Sequence, residues 1–285
     1  MLDFLTSTLL ALALGITLNL QAYESTVDRF GTRADSIVTR LDTIAEPILS
    51  HTKKAFVTEN KFGFDTLSAD INWIIEDFLA SITPGMIVMD VGAGYGKLTR
   101  LALDKGATVI SNEISENQQL YTLKFIKSNQ KKRLYFHRQD IRTTSLPNSS
   151  LDAIMFHRVL HFFKGKEIEN ILTKTYQWLK PGGKIYIVMM SKDHVAFRDK
   201  IYYDDSKRWP GEGLVIVKKH IPDQAYALPS TLHVVSVETL EKALINAGFL
   251  VEKLDYISMK KFGRESNRDG KEAVGAIAVK REYSS

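Results

Sequence analysis

Asp90, Gly92, Gly94, Gly96 and Glu113 have the types and spacing to hold a nucleotide. Glycines accept φ > 0 and let backbone approach a ligand with no Cβ in the way. A turn made of them that feeds a helix presents free N–H groups and the positive end of the helix dipole, which suits a carboxylate or phosphate. Glu113 lies 21 positions beyond Gly92. An acid at that distance, at the tip of the next strand, typically takes two ribose hydroxyls. As a charged acceptor it contributes roughly 1.5–3 kcal/mol per hydrogen bond, and the spacing predicts it at an exposed strand tip. The third glycine comes one position early for the dinucleotide pattern G-x-G-x-x-G, and an acid precedes the first.

The flanking residues supply the elements that must position this turn. Met86 to Met89 are apolar and largely β-forming, Lys97 to Leu103 follow a helical pattern, and Thr108 to Ile110 begin a second strand. Strand, glycine turn, helix, strand and acid make half of a doubly wound nucleotide-binding unit. Further on, Ser115 caps a helix predicted through Ser128, and Leu134 to His137 and Leu151 to Phe156 read as strands. A helix is predicted from Lys166 to Leu179, then a turn at Lys180–Lys184 and a strand from Ile185 to Met190. Val237 to Ala247 is a helix closed by Gly248, and Phe249–Met259 and Glu272–Arg281 form a closing hairpin.

Asp-x-Gly-x-Gly-x-Gly after a strand resembles motif I of the class I S-adenosylmethionine-dependent methyltransferases, and Leu179-Lys-Pro-Gly-Gly before an apolar strand is a second resemblance. Residues from about 60 to 282 can be laid on that family's plan. The resemblance implies an α/β, doubly wound (Rossmann-like) fold: a seven-stranded, mostly parallel sheet with a C-terminal antiparallel hairpin, here plus N-terminal helices. It implies S-adenosyl-L-methionine as cofactor, with contacts at Asp90, Gly92, Ala93, Gly94, Gly96, Glu113 and Ile114. It also implies that Asp140 accepts from the adenine amino group, with the Ile141 backbone on the ring. His157-Arg-Val-Leu-His161 leaves a strand's carboxyl end, where open α/β sheets place ligands. His157 is expected beside the methionine moiety, and both His157 and His161 are candidate catalytic groups. The Asn/Asp-Pro-Pro-aromatic motif of the aminomethylating members is absent there, which argues against adenine or glutamine amino groups as acceptors.

Residues 191–236 make a long insertion rich in His, Tyr, Arg and Trp, read as a substrate cap with His194, Tyr202, Tyr203 and His233 facing the acceptor. Phe62, Phe64 and Trp73 are candidate lid aromatics. The expected activity is methyl transfer to a small-molecule or lipid-like acceptor. Alternatives are transfer to a protein side chain, or a non-catalytic cofactor-binding scaffold.

Composition narrows the field. With no cysteine, the chain has no disulfide, no Cys-based metal site and no cysteine nucleophile. No His/Asp cluster with metal spacing occurs, so no metal is expected. The net charge of +5 is spread over the chain, so a nucleic-acid groove is not expected. Residues 1–58 read as an N-terminal helical segment and 59–285 as the methyltransferase domain. Within the former, Leu2, Leu5, Leu9, Leu12, Ile16, Leu20, Tyr23, Val27 and Phe30 step by three or four. Helix packing, homo-oligomerisation or membrane anchoring through residues 2–20 ranks ahead of a cleaved signal in residues 1–22. Anchoring would leave the domain in the cytoplasm, because Arg29, Arg33 and Arg40 follow the stretch; a signal would mean export. A second helix is predicted over 32–58 with Ile37, Leu41, Ile44 and Ile48 on one face, and another from Asp65 to Ile82.

Overall fold

The structure, a computed structural model, describes residues 29–37, 42, 44–66, 71–195, 198, 202–203, 213–258 and 269–282. The readings placed on residues 2–20 and 1–22 lie outside these. The glycine turn stands between β4 (Ile87–Val91) and α2 (Lys97–Asp104), and β5 (Thr108–Asn112) follows. Both strands are buried throughout, as parallel strands covered on two faces must be. With β6 (Leu134–His137), β7 (Leu151–His157) and β8 (Leu179–Met190) they form the parallel part of the sheet. β12 (Leu250–Ile257) and β13 (Ala273–Val279) add the antiparallel hairpin.

The sheet has eight strands rather than seven, in the order β1-β6-β5-β4-β7-β8-β13-β12. The eighth is β1 (Thr32–Arg33), antiparallel to β6. It is joined there because Gly31, at φ +126°, brings backbone against backbone: a Cβ on it would lie 2.3 Å from the Phe136 carbonyl oxygen. Phe30 is fully buried in the sheet's core, so the last member of the N-terminal apolar stripe packs inside the domain.

The helix predicted over 32–58 is therefore replaced, among the described residues, by β1, a 3-10 turn at Ala34–Ser36 and β2 (Ala55–Val57). β2 pairs with β3 (Phe64–Thr66) as a hairpin. Three-residue strands are too short to show alternation, and their apolar spacing imitates a helix. The helix predicted from Asp65 contracts to α1 (Trp73–Ser81), whose start is fixed by Asn72: its side-chain oxygen accepts the N–H of Ile74 and Ile75. α3 (Glu116–Thr122), capped by Ser115, ends earlier than predicted, and α4 (Gly165–Trp178) runs as expected. Lys180–Gly183, read as a turn, forms a bulged section of β8.

The insertion folds β9 (Tyr202–Tyr203), β10 (Gly213–Ile216) and β11 (Thr231–Val234) into a small antiparallel sheet. Val215, Val217, Leu232 and Val234 form its own core, against which Phe162, Met190 and Leu228 pack.

Candidate active site

A cavity of about 330 Å³ opens at the carboxyl ends of β4, β5 and β7, the position at which open α/β sheets bind ligands. Gly92, Ala93, Gly94 and Asp90 line one wall. Gly92, Gly94 and Gly96 take φ of +64°, +56° and +76°. A Cβ on Gly92 would sit 2.2 Å from Val159 Cγ2, and one on Gly96 2.3 Å from Thr122 Cγ2. The glycines thus serve the packing of the turn onto the β7 loop and α3 as well as access to a ligand. Gly96 caps α2 and does not line the cavity.

Glu113 is 5 % exposed, not the exposed tip expected of it. Its side chain folds back so that Oε2 accepts from Gly94 N–H and Oε1 from Ser115 N–H, both at 3.0 Å. Burial raises its carboxyl above the usual range, and the N–H groups of Ser115, Gly94 and Ile114 oppose that. Asp90, 3 % exposed, accepts from the Thr99 hydroxyl at 2.8 Å, and burial pushes it up to about 6. Ile114 lines the cavity beside Glu113 and is half exposed.

Asp140 and Ile141 close the same end. The Asp140 carboxylate accepts from Arg142 N–H (2.8 Å), Nε (3.0 and 3.1 Å) and Nη2 (2.6 Å). That contact with Arg142 holds it below the ordinary carboxylate range. Arg142 also reaches Glu167 at 2.9 Å, and Lys174 Nζ donates to the carbonyls of Ile141, Arg142 and Thr144. The loop after β6 is therefore a braced shelf.

His157 and His161 line the same cavity with Arg158, Phe162, Phe163 and Met190. Burial, followed by the charge of Arg158, lowers both imidazoles to about 3. His157 Nε2 and His161 Nδ1 have no hydrogen-bond partner among the described residues. Arg158 itself is held at φ +62°, sparsely populated for a bulky residue, with its N–H on the Val188 carbonyl at 2.8 Å.

The roof comes from distant segments. Phe62 and Phe64 line the cavity, whereas Trp73, the first residue of α1, lies outside it and donates to the Tyr256 carbonyl of β12. From the insertion, Gln224 and Leu228 reach the cavity. His194 and His233 do not line it; His233 is buried and its Nδ1 pairs with the Phe163 carbonyl at 2.9 Å. Tyr202 and Tyr203 are described only as backbone, in β9. Two residues with no signal in the sequence join the walls. Asp65 of β3 reaches the glycine turn, and Gln118 of α3, fully buried, accepts from Glu59 N–H through Oε1 and has no partner for Nε2 among the described residues. Asp65 was hidden inside a predicted helix, and Gln118 reads as an ordinary helix position.

Doubly wound sheet, glycine turn and clamped acid define a nucleotide-cofactor enzyme fold, and comparison with known proteins agrees. Residues 89–187 match the family described as a methyltransferase domain. A ubiquinone/menaquinone biosynthesis C-methyltransferase of Shewanella baltica is 24% identical over 241 residues, covering 83% of this chain and 93% of the relative. Phosphoethanolamine N-methyltransferase 3 of Arabidopsis thaliana is 29% identical over 119 residues, but the match spans only 39% of this chain and 23% of that protein. Among solved structures, an S-adenosylmethionine-dependent methyltransferase of Mesorhizobium loti superposes with a TM-score of 0.56 at 19% identity, covering 73% of this chain and 96% of the other. A Burkholderia thailandensis 1,6-didemethyltoxoflavin N1-methyltransferase, solved with that substrate and S-adenosylhomocysteine, gives 0.53 at 16% identity, covering 73% and 77%. Residues 89–187 thus match a methyltransferase domain, and the fold is that of the S-adenosylmethionine-dependent methyltransferases.

Proposed function

We propose that this protein transfers a methyl group from S-adenosyl-L-methionine to a small organic or lipid-like acceptor. The observation that carries the reading is the Glu113 carboxylate, pinned to the Gly94 N–H in the cavity wall at the end of β5. A buried acid held this way is pre-oriented to accept two neighbouring hydroxyls. The residues present fit the cofactor: Glu113 would hold ribose, and the Asp140–Ile141 shelf the adenine edge. Gln118 Nε2 is a buried donor in the same wall that a polar ligand would satisfy. For Asp140 to take the adenine amino group, Arg142 must shift part of its contact to Glu167.

S-adenosylmethionine, when bound, supplies an already activated methyl group. The chain's task is then alignment in a cleft that excludes water. Phe62, Phe162, Phe163, Met190 and Leu228 offer the apolar surface for an organic ring. His157 is read beside the reacting centre. Burial holds His161 neutral and disfavours its charged form, so its unpartnered Nδ1 is read as a hydrogen-bond contact that orients the acceptor; as a base it would need a bound partner that stabilises the imidazolium. Of the insertion's four proposed substrate contacts, Tyr202 and Tyr203 are kept as proposals, whereas His194 does not line the cavity and His233 sits behind its wall on the Phe163 carbonyl. Residues 2–20 are read as a packing, self-association or anchoring helix, with the domain on the cytoplasmic side. No helix among the described residues is long and apolar enough to cross a membrane.

The test is methyl incorporation from labelled S-adenosylmethionine into a metabolite extract. Label in an extractable organic product, reduced roughly tenfold by His161→Phe with cofactor affinity unchanged, supports the reading; that is about the worth of one aligning hydrogen bond. Label appearing only in protein would transfer the assignment to a side-chain acceptor.

A further inference from the structure

The outer surface of the roof carries charge and apolar area that the cavity does not use. Its first segment, residues 48–54, leads into β2. Ile48 there is 74% exposed and Leu49 is half exposed. Lys53 and Lys54 follow in an exposed turn. Lys61 and Phe62 tip the β2–β3 hairpin, and the exposed Phe62 also lines the cavity. The second segment belongs to the insertion. Ile216 is exposed just before α5 (Val217–His220), which carries the exposed Lys218 and Lys219. The His51–Tyr226 stack (3.8 Å between centroids) and the Gly63 N–H on the Ala227 carbonyl (2.9 Å) join the two segments.

None of these lysines forms an ion pair among the described residues. Glu46 is taken by Lys124 and Glu59 by the Ser115 hydroxyl, which leaves Asp223 as the acid of the described roof segments. Backbone geometry adds a second observation. Lys53 and Lys61 hold φ of +55° and +57°, left-handed backbone in which Gly or Asn is favoured over a long side chain. An ammonium group is therefore kept at both turns against local preference.

The chemistry of the patch selects its partner. The segments have no arginine, and the rings of His51 and Tyr226 are stacked on each other. A nucleic-acid surface would want forked donors and free stacking platforms. Lysines around protruding aliphatic side chains match an anionic bilayer, which attracts ammonium groups and takes apolar tips beneath its headgroups. We propose that the roof docks on an anionic lipid surface, Ile48 and Leu49 entering it and Lys53, Lys54, Lys218 and Lys219 meeting its headgroups, and that a lipid-like acceptor enters past Phe62 from that surface. The entry route rests on the acceptor reading above. The docking does not, and it is independent of residues 2–20.

The test is co-flotation of the full-length protein with vesicles of phosphatidylcholine alone and of phosphatidylcholine with phosphatidylglycerol in equal parts. The protein should favour the anionic vesicles. The double variant Lys53→Asn/Lys61→Asn should lower its partition onto them about thirtyfold, roughly fivefold per lysine. Urea denaturation should show no loss of stability, because Asn suits both turns. Hydrogen exchange should show the anionic vesicles protecting the amides of residues 48–54. Partition that ignores lipid charge, survives the double variant or leaves 48–54 exchanging would overturn the docking. Titration with S-adenosylhomocysteine reads the cofactor assignment separately, so the two can fail independently.

Discussion

The glycine turn and the roof above it enclose one cavity but are held by different kinds of contact. The floor, β4 through Glu113, is a continuous stretch whose strands are buried along their whole length, and Glu113 closes it with hydrogen bonds to Gly94 and Ser115. The roof is assembled from the β2–β3 hairpin and the insertion, far apart in sequence. It is joined by a backbone bond at Gly63, the His51–Tyr226 stack with the His51 N–H on the Tyr226 hydroxyl, and a Phe64–Tyr226 edge contact, while Phe62 meets Phe162 of the loop after β7. A floor so constrained suits one invariant ligand, whereas a lightly joined roof can open to admit another and close over it. On the proposed reading the cofactor belongs to the floor and the acceptor to the roof.

Substituting glycines on each side probes that contrast. Gly96→Ala forces a side chain into left-handed backbone and onto Thr122, and should destabilise the fold by about 2–4 kcal/mol, combining about 1–2 kcal/mol of backbone strain with overpacking. Gly63→Ala meets only Phe162 and Leu228, at 3.6 and 3.9 Å. It should cost about 1 kcal/mol, chiefly from its φ of +129°, and disturb acceptor kinetics more than stability. Urea denaturation of both variants decides; equal losses would erase the distinction between floor and roof.

Next in size is Glu113→Gln. The amide keeps the shape but not the charge, and cofactor affinity should drop by roughly 1.5–3 kcal/mol in a folded protein. Glu113→Ala is the harsher change, because it leaves the buried Gly94 and Ser115 N–H groups unpaired, and it should lower stability too. A Gln variant with wild-type affinity would remove Glu113 from the cofactor site.

The floor was legible in the sequence because its signals are local: a turn of alternating glycines, apolar strands and an acid at fixed separation. Asp140, His157 and His161 were found at the cavity for the same reason, since each follows a recognisable strand. The conformation of Glu113 was not legible, because its burial depends on N–H groups that the glycine turn presents only once folded. Of the roof, the insertion is legible as a cap, but the β2–β3 hairpin reads as the edges of two helices and a loop, since its strands are three residues each. Asp65 consequently lost its meaning, and the edge strand β1 was missed because two residues carry no periodicity.

A smaller effect reports on the floor's electrostatics. Asp90 sits at about 6 when folded against an ordinary 3.8. Between those values the folded state holds the proton that the unfolded state has lost, so this residue's contribution favours folding below about pH 4 and declines as pH rises through 6. Relative to wild type, Asp90→Asn should therefore gain stability between pH 4 and 7, on the order of 3 kcal/mol. Denaturation midpoints across that range would show it; a constant difference would mean Asp90 is better solvated than its surroundings imply.

The central claim, that the floor is a site for S-adenosylmethionine and not for a dinucleotide, is tested most directly by titrating the wild-type protein with S-adenosylhomocysteine and with NAD. Saturable one-to-one binding of S-adenosylhomocysteine with no heat from NAD is the expected result. Tight NAD binding with no response to S-adenosylhomocysteine would contradict it.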